Sequence, residues 1–170
     1  MASSSESKGL IVLATDNSQS ALNVVDFALK HFSTGYHLHV VHVQTVHKNL
    51  MNHADEDYKE AGVTQADITN KAPQATTQEV EKQSFLVDTI LPKFDTLASQ
   101  GTAVKATVVY VPENTAHAIG KALCKFAKQH NAAQLVMERT SKNFLSEFFL
   151  GSVASYCASH SPVPLVILKS

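Results

Sequence analysis

Gly151 and Ser152 carry the strongest chemical signal in this chain, because they open a short helical pattern directly after an apolar pair. The first backbone N–H groups of a helix have no partner within the helix, and the helix dipole is positive at that end. A glycine followed by a serine leaves these groups open to a ligand. We therefore expect an anion, such as a phosphate group, to bind at the backbone of Gly151, Ser152 and Val153.

Asp16 is a second polar residue in a position that favours ligand binding, since Thr15 and Asp16 directly follow an apolar run. Its other role would be to cap the first turn of the next helix, and both roles are compatible. Catalytic side chains are harder to find. Glu113 and His117 are four residues apart and could exchange a proton, but a surface pair on a helix explains them better. No histidine or lysine is placed by the sequence to activate Ser152, so we predict no catalytic residue.

Nine histidines raise the question of a metal site, and His37 and His39 would share one face of a strand. No spacing in the chain matches a zinc signature, so ordinary strand and loop histidines are the preferred interpretation. Cys124 and Cys157 both fall within helical patterns, where a buried and unreactive thiol is more common than a redox sensor. We predict neither a metal ion nor a disulfide framework.

Composition limits the class of protein. The 170 residues carry a net charge of -1 and are 44% hydrophobic, which is typical of one globular domain and not of a nucleic-acid-binding surface. No apolar run approaches membrane-spanning length. Residues 1–8 lack the apolar segment of a secretory signal and are expected to be a short disordered lead to a domain at 9–170. Two cysteines fit a cytoplasmic protein.

Apolar segments of two kinds alternate along the chain. Continuous apolar runs predict strands buried on both faces, and stripes of helical period predict helices between them. Ser18 is a suitable N-cap for the first helix and Asn114 or Thr115 for the third, while Pro92 should kink the second. The polar residues 48–77 are interpreted as a long mobile insertion. The strands are expected at 9–14, 37–44, 104–111, 134–137 and 165–169.

This alternation predicts a single doubly wound α/β domain, with a five-stranded parallel sheet flanked by four helices. In such a sheet, ligands bind at the carboxyl ends of the strands, where the winding direction reverses. Which strands flank that point depends on the strand order, which the pattern alone does not give.

The C-terminal residues 149–168 supply the strand order through a resemblance. Their sequence, FLGSV followed by SHSPVPLVIL, resembles the C-terminal end of the universal stress protein family. Residues 15–20, TDNSQS, are similar to the family's V-D-G-S-x-x-S, and residues 132–137 are similar to its A-D-L-I-V-M. The resemblance implies an adenine-nucleotide α-hydrolase-like fold with strand order 3-2-1-4-5. It also implies ATP or AMP as the ligand, with the nucleoside part contacting Asp16.

That strand order places the predicted site between the first and fourth strands, with the start of the fourth helix on a third side and the insertion above it. The residues expected to line this site are Thr15, Asp16, Gln44, Met137, Glu138, Arg139, Ser141, Gly151, Ser152 and Val153.

The phosphate loop departs from the family pattern. Nucleotide-binding members read G-x2-G-x9-G-[ST], and counting back from Gly151 puts Ser141 and Glu138 at the first two glycines. These glycines let backbone amides approach phosphate oxygens. A carboxylate in contact with a triphosphate costs several kcal/mol at an effective dielectric of ~20. We expect Glu138 to plug the site, either at the start of the fourth helix or paired with Arg139 or Lys142.

Two functions therefore stay open at this stage. The first is a universal stress protein-like homodimeric sensor or interaction module whose cleft is degenerate. The second is a true adenine-nucleotide binder with at most slow ATP hydrolysis. A nucleotide-dependent ligase of the same fold would need a Ser-Gly-Gly-x-Asp-Ser loop, which is missing here.

A dimer is expected through the last strand. As an edge strand it would present Leu165, Val166, Ile167 and Leu168 without a charge, whereas the other edge carries Lys105. The resemblance implies the same pairing of this strand with its symmetry mate.

Overall fold

A computed structural model describes residues 8–16, 18–32, 34–46, 58–62, 85–139 and 151–169. These residues contain six strands and four helical segments. The strands are β1 (Gly9–Thr15), β2 (Tyr36–Thr45), β3 (Lys59–Gly62), β4 (Val104–Val111), β5 (Ala132–Glu138) and β6 (Leu165–Leu168). The helices are α1 (Ala21–His31), α3 (Ala116–Gln129) and α4 (Ser152–His160), while α2 comprises a π-helical part (Phe85–Ile90), a 3-10 part (Leu91–Phe94) and an α-helical part (Asp95–Ser99).

The sheet has the order β3-β4-β2-β1-β5-β6. Strands β4, β2, β1, β5 and β6 are parallel and keep the relative order that the sequence predicts, so the doubly wound fold is confirmed. The winding direction reverses between β1 and β5, which places the switch point where it was expected.

The predicted strand count is corrected by β3, which pairs antiparallel with β4 through Lys59–Gly62 and Thr107–Tyr110. This strand lies within the segment interpreted as an insertion, and β4 is therefore not the free edge along these residues. A short edge strand needs only backbone partners, so its polar sequence gave no strand signal. Buried Tyr58 fixes its beginning. The other residues of the predicted insertion lie outside the described residues.

Two hydrophobic cores lie on opposite faces of the sheet. The first joins α1 and α2 to residues such as Leu13, Val40 and Val136. The second joins α3 and α4 to residues such as Val12, Val41 and Met137. Alternate residues of each central strand thus enter different cores, which explains why these strands are apolar throughout.

Local signals explain two of the helices. Thr115 caps α3, because its Oγ1 accepts a hydrogen bond of 3.1 Å from the backbone N–H of Ala118. Pro92 lies in the 3-10 part of α2, between its π-helical and α-helical parts, which confirms the expected irregularity. Proline has no N–H to continue the α-helical ladder, so the hydrogen-bond pattern changes there.

None of the described helices is long and apolar enough to cross a membrane. Residues 1–7 of the predicted lead lie outside the described residues. Lys8 joins the domain, since its backbone N–H donates to the Gly35 carbonyl at 2.7 Å.

Candidate functional site

The carboxyl ends of three central strands bring polar side chains to one face of the sheet. Thr15 on β1 pairs with His42 on β2. Leu13 pairs with Val136 on β5, so Thr15, two residues after Leu13, lies beside Glu138. By strand alternation these residues face α1 and α2, the side that Leu13 and Val136 enter. We call Thr15, His42, Gln44 and Glu138 the polar row.

Two members of the polar row contact β-strand carbonyl groups. Thr15 Oγ1 donates to the Val41 carbonyl at 3.5 Å. His42 Nδ1 lies 3.1 Å from the Thr15 carbonyl oxygen. These contacts hold β1 and β2 together at their carboxyl ends. Sequence reasoning missed His42 as a member of this row, although its spacing of two from Gln44 puts both on one face.

Gln44 is the most deeply buried polar side chain of the row, with 2% of its surface exposed. Neither its amide nitrogen nor its amide oxygen has a hydrogen-bond partner among the described residues. Buried amide groups are nearly always paired with protein, water or ligand. The Gln44 side chain therefore keeps one buried donor and one buried acceptor group that no described residue pairs.

Glu138 is buried at the end of β5, with 8% of its surface exposed. Its Oε1 accepts a hydrogen bond of 3.0 Å from Nδ2 of Asn23, in the first turn of α1. Its Oε2 is buried without a partner in the described part of the chain. The partner that the structure gives this carboxylate is thus on α1, whereas the sequence suggested Arg139, Lys142 or the start of the fourth helix. Lys142 lies outside the described residues.

Asp16 organises the turn between β1 and α1. Its Oδ1 accepts a hydrogen bond of 2.9 Å from the backbone N–H of Ser18 and another from the Ser18 hydroxyl. The Ser18 and Ser20 hydroxyl oxygens lie 2.6 Å apart. This turn delays the helix, which begins at Ala21, so the prediction of Ser18 as the N-cap is wrong. Asp16 itself stays exposed at the mouth of the cleft.

The start of α4 lies on the other side of the sheet. Gly151 precedes the helix, and its carbonyl accepts from the Ser155 backbone N–H at 2.8 Å. Ser152 is exposed and Val153 is half-buried in the second core, where Met137 is buried. The predicted residues therefore divide between the two faces: Thr15, Gln44 and Glu138 on one, Met137 and Val153 on the other.

Arg139 and Ser141 complete the predicted set. The Arg139 backbone N–H donates to the Leu168 carbonyl at 2.9 Å and so fixes the end of β5 to β6. Ser141 lies outside the described residues. Asn23 is the contact that the sequence did not indicate. The one feature of the sequence that could have indicated it is its position in the first turn of the helix after β1. That turn must lie above the carboxyl end of the strand.

The histidines suggested by the sequence have separate environments. His37 is exposed, whereas His39 is buried and its Nε2 lies 2.8 Å from Thr107 Oγ1. Burial, followed by the nearby His130 and Lys105, lowers the pKa of His39 from 6.5 to about 4. Within the described residues, no group of three or more His, Cys, Asp or Glu side chains is arranged so that it could hold a metal ion. His117 is exposed and packs edge-on against Tyr156.

Buried polar groups at the carboxyl ends of the strands, beside the switch point of a doubly wound sheet, define a small α/β protein of the doubly wound class. The model of the universal stress protein family matches residues 9–169, and the chain belongs to this family.

Solved structures support the same fold. A universal stress protein from Archaeoglobus fulgidus is 15% identical with a TM-score of 0.59, covering 95% of this chain and 98% of that one. The universal stress protein UspA from Lactobacillus plantarum is 19% identical with a TM-score of 0.59, covering 94% of this chain and 97% of that one. A universal stress protein in complex with cAMP is 18% identical with a TM-score of 0.54, covering 95% and 96%. No curated protein matches the chain.

Proposed function

We propose that this chain is a non-catalytic, homodimeric universal stress protein of the cytoplasm, a sensor or interaction module whose cleft does not bind ATP in the family's usual way. The observation that carries the proposal is the Glu138 carboxylate, which is buried in the cleft with only one oxygen hydrogen-bonded by the described residues. A buried negative charge at this place opposes a second negative charge more strongly than one in water would.

The phosphate loop supports the same conclusion. Glu138 and Ser141 stand where the family pattern has glycines, so two backbone positions suited to close phosphate contact are lost. Gly151 and Ser152 remain at the start of α4 and could hold one phosphate group. A ligand with little negative charge therefore fits the cleft better than a triphosphate.

The alternative is an adenine-nucleotide binder with at most slow ATP hydrolysis. Two observations favour it: the unpartnered amide of Gln44, which could bind a base or a ribose, and the cAMP complex of a relative with the same fold. Because cAMP carries a single negative charge, binding of cAMP would be compatible with both hypotheses.

Calorimetry with the purified full-length chain separates these functions. The protein is first tested for nucleotide carried through purification, and is then titrated with ATP, AMP, cAMP and adenosine. We expect no co-purified ATP and an affinity order in which adenosine and cAMP exceed ATP. Micromolar binding of ATP that exceeds that of adenosine would establish the alternative.

The dimer is proposed to form through β6, which pairs on one side with β5 and has no strand on its other side in the described sheet. The Pro164 and Leu168 carbonyls accept from β5. Since backbone groups of a strand alternate in direction, the groups of Leu165 and Ile167 point to the outer edge. An uncharged strand with a free edge is a template for a second strand.

Paired substitutions at one position test this interface. Ile167→Pro removes an outward N–H from a residue whose backbone groups do not bond β5, whereas Ile167→Ala removes more of the side chain but keeps the N–H. Sedimentation equilibrium should show a monomer for Ile167→Pro and a dimer for both Ile167→Ala and the wild type. A wild-type monomer would refute the proposed dimer, and a dimer unaffected by Ile167→Pro would place the interface elsewhere.

A further inference from the structure

Cys124 on α3 and Cys157 on α4 lie at the contact between these two helices. Both belong to the second hydrophobic core, and both are free thiols. Neither takes part in the cleft described above. The two residues are separated by a long stretch of sequence, so their meeting is a property of the fold and not of local spacing.

Gly120 allows α3 and α4 to approach closely at this point. A Cβ atom added at Gly120 would lie 2.5 Å from Cδ1 and 3.0 Å from Cβ of Tyr156 on α4. Those distances are shorter than van der Waals contact, so only glycine fits here. A disulfide between two helices requires such an approach, because its two Cα atoms must come within about 4.4–6.8 Å.

The sulfur of Cys157 lies on the turn of α3 that carries Cys124. Cys157 Sγ is 3.9 Å from the Gly120 carbonyl oxygen. In an α-helix that carbonyl bonds the N–H four residues later, which here belongs to Cys124. Each thiol also shifts the pKa of the other. The Cys157 sulfur therefore lies against the turn of α3 that ends at Cys124 in the reduced protein.

The environments of the two thiols differ. Cys124 keeps 8% of its surface exposed, whereas Cys157 has none. The hydrogen bond from Cys157 lowers the pKa of Cys124 against the opposing effect of burial. The same hydrogen bond and burial raise the pKa of Cys157. Since a thiolate is the nucleophile, an oxidant should react first with Cys124.

We propose that Cys124 and Cys157 are a redox modification site, which a peroxide converts into a reversible disulfide between α3 and α4. The Cys124 sulfur attacks one peroxide oxygen, the O–O bond breaks, and a sulfenic acid forms with release of one water or alcohol molecule. The Cys157 thiol then attacks the sulfenic sulfur, the S–OH bond breaks, and water leaves as the S–S bond forms. Two thiols are oxidised, the peroxide is reduced, and a small dithiol reverses the step.

Mass spectrometry of the full chain tests the proposal. The protein is treated with graded hydrogen peroxide, unfolded, and alkylated with iodoacetamide. We expect both thiols to become protected together, with loss of two hydrogen atoms from the intact mass and recovery after dithiothreitol. Trypsin should release residues 122–125 linked to residues 143–169. The oxidised protein should also unfold at a higher temperature, because the bond restricts the unfolded chain.

Two single substitutions assign the steps. In Cys157→Ala, Cys124 should accumulate as a sulfenic acid that dimedone traps. In Cys124→Ala, Cys157 should stay reduced at the same peroxide dose. The proposal is overturned if the wild-type thiols stay alkylatable, if one oxidises without the other, or if the disulfide joins two chains on a non-reducing gel. The wild-type measurements decide this even if a variant fails to fold.

Discussion

Replacing Glu138 by glutamine removes the charge from the cleft while the shape of the side chain is kept. The glutamine oxygen can still accept from Asn23, as Oε1 does at 3.0 Å. The buried position of Oε2, which has no partner among the described residues, then holds an amide donor. For a phosphate group bound on the α1 side of the sheet, about 4–6 Å from the carboxylate, the repulsion is about 3–4 kcal/mol per unit charge at an effective dielectric of ~20. Since about 1.4 kcal/mol is a tenfold change, Glu138→Gln should raise ATP affinity by roughly two to three orders of magnitude.

Isothermal titration calorimetry with ATP and adenosine measures this effect. The adenosine affinity should stay near its wild-type value, because adenosine carries no phosphate to be repelled. Asp95→Asn is the matched control: it makes the same change in net charge at an exposed position of α2, far from the carboxyl ends of the strands. This control should leave both affinities unchanged.

An equal gain for ATP and adenosine would refute the reasoning, since it would mean that glutamine improves packing or solvation and does not relieve repulsion. Unchanged ATP affinity in Glu138→Gln would show that the carboxylate lies away from the phosphates. In that case Glu138→Gly combined with Ser141→Gly asks whether backbone access alone limits binding.

Two further predictions concern the stability of the domain. Because the pKa of His39 is lowered from 6.5 to about 4, mainly by burial, the unfolded chain binds a proton here at pH values where the folded chain does not. The free energy of unfolding should therefore fall as the pH drops below 6.5, by about 1.4 kcal/mol per pH unit, so that the wild type loses about 2 kcal/mol more than His39→Gln between pH 7 and pH 5. Urea unfolding followed by circular dichroism measures both proteins, and equal losses would contradict this. In the same assay Gly120→Ala should lower the free energy of unfolding by about 1–3 kcal/mol, because its Cβ meets Tyr156. Gly62→Ala, which meets no atom within 4 Å, should change it little.

The alternation of strands and helices was accessible from the sequence, because the central strands are apolar on both faces and are separated by helical stripes. The order of the parallel strands came only from the resemblance of residues 149–168 to the universal stress protein family. β3 was not accessible. Its residues Lys59–Gly62 contain no apolar run, and only the position of the chain beside β4 makes them a strand. Its attachment depends on long-range contacts: the Glu60 carboxylate accepts from the Tyr58 hydroxyl and lies 2.9 Å from His130 Nε2 on the far end of α3.

Only the part of the candidate site that lies on the strands was predictable, because strand periodicity shows which residues share a face. Thr15, Gln44 and Glu138 end their strands, so the parallel sheet places them at one edge. Asn23 could not be predicted, because the apolar stripe of α1 fixes which residues face the sheet but not how far along β5 the helix lies. That distance is set by the turn that Asp16 closes with Ser18, which delays the start of α1 to Ala21.

The Asn23–Glu138 hydrogen bond pairs only one oxygen of the carboxylate, and we expect the other oxygen to decide which ligands the site prefers. A buried acceptor without a partner costs about 1–3 kcal/mol, and more when it is charged. Glu138 Oε2 is such an acceptor among the described residues, so a ligand hydroxyl or amino group that donates to it recovers part of that cost. A phosphate oxygen has no proton to donate there and adds repulsion. We therefore expect this atom to favour donor-rich, weakly charged ligands over the triphosphate, and the proposed affinity order, with adenosine and cAMP above ATP, depends on this one side chain.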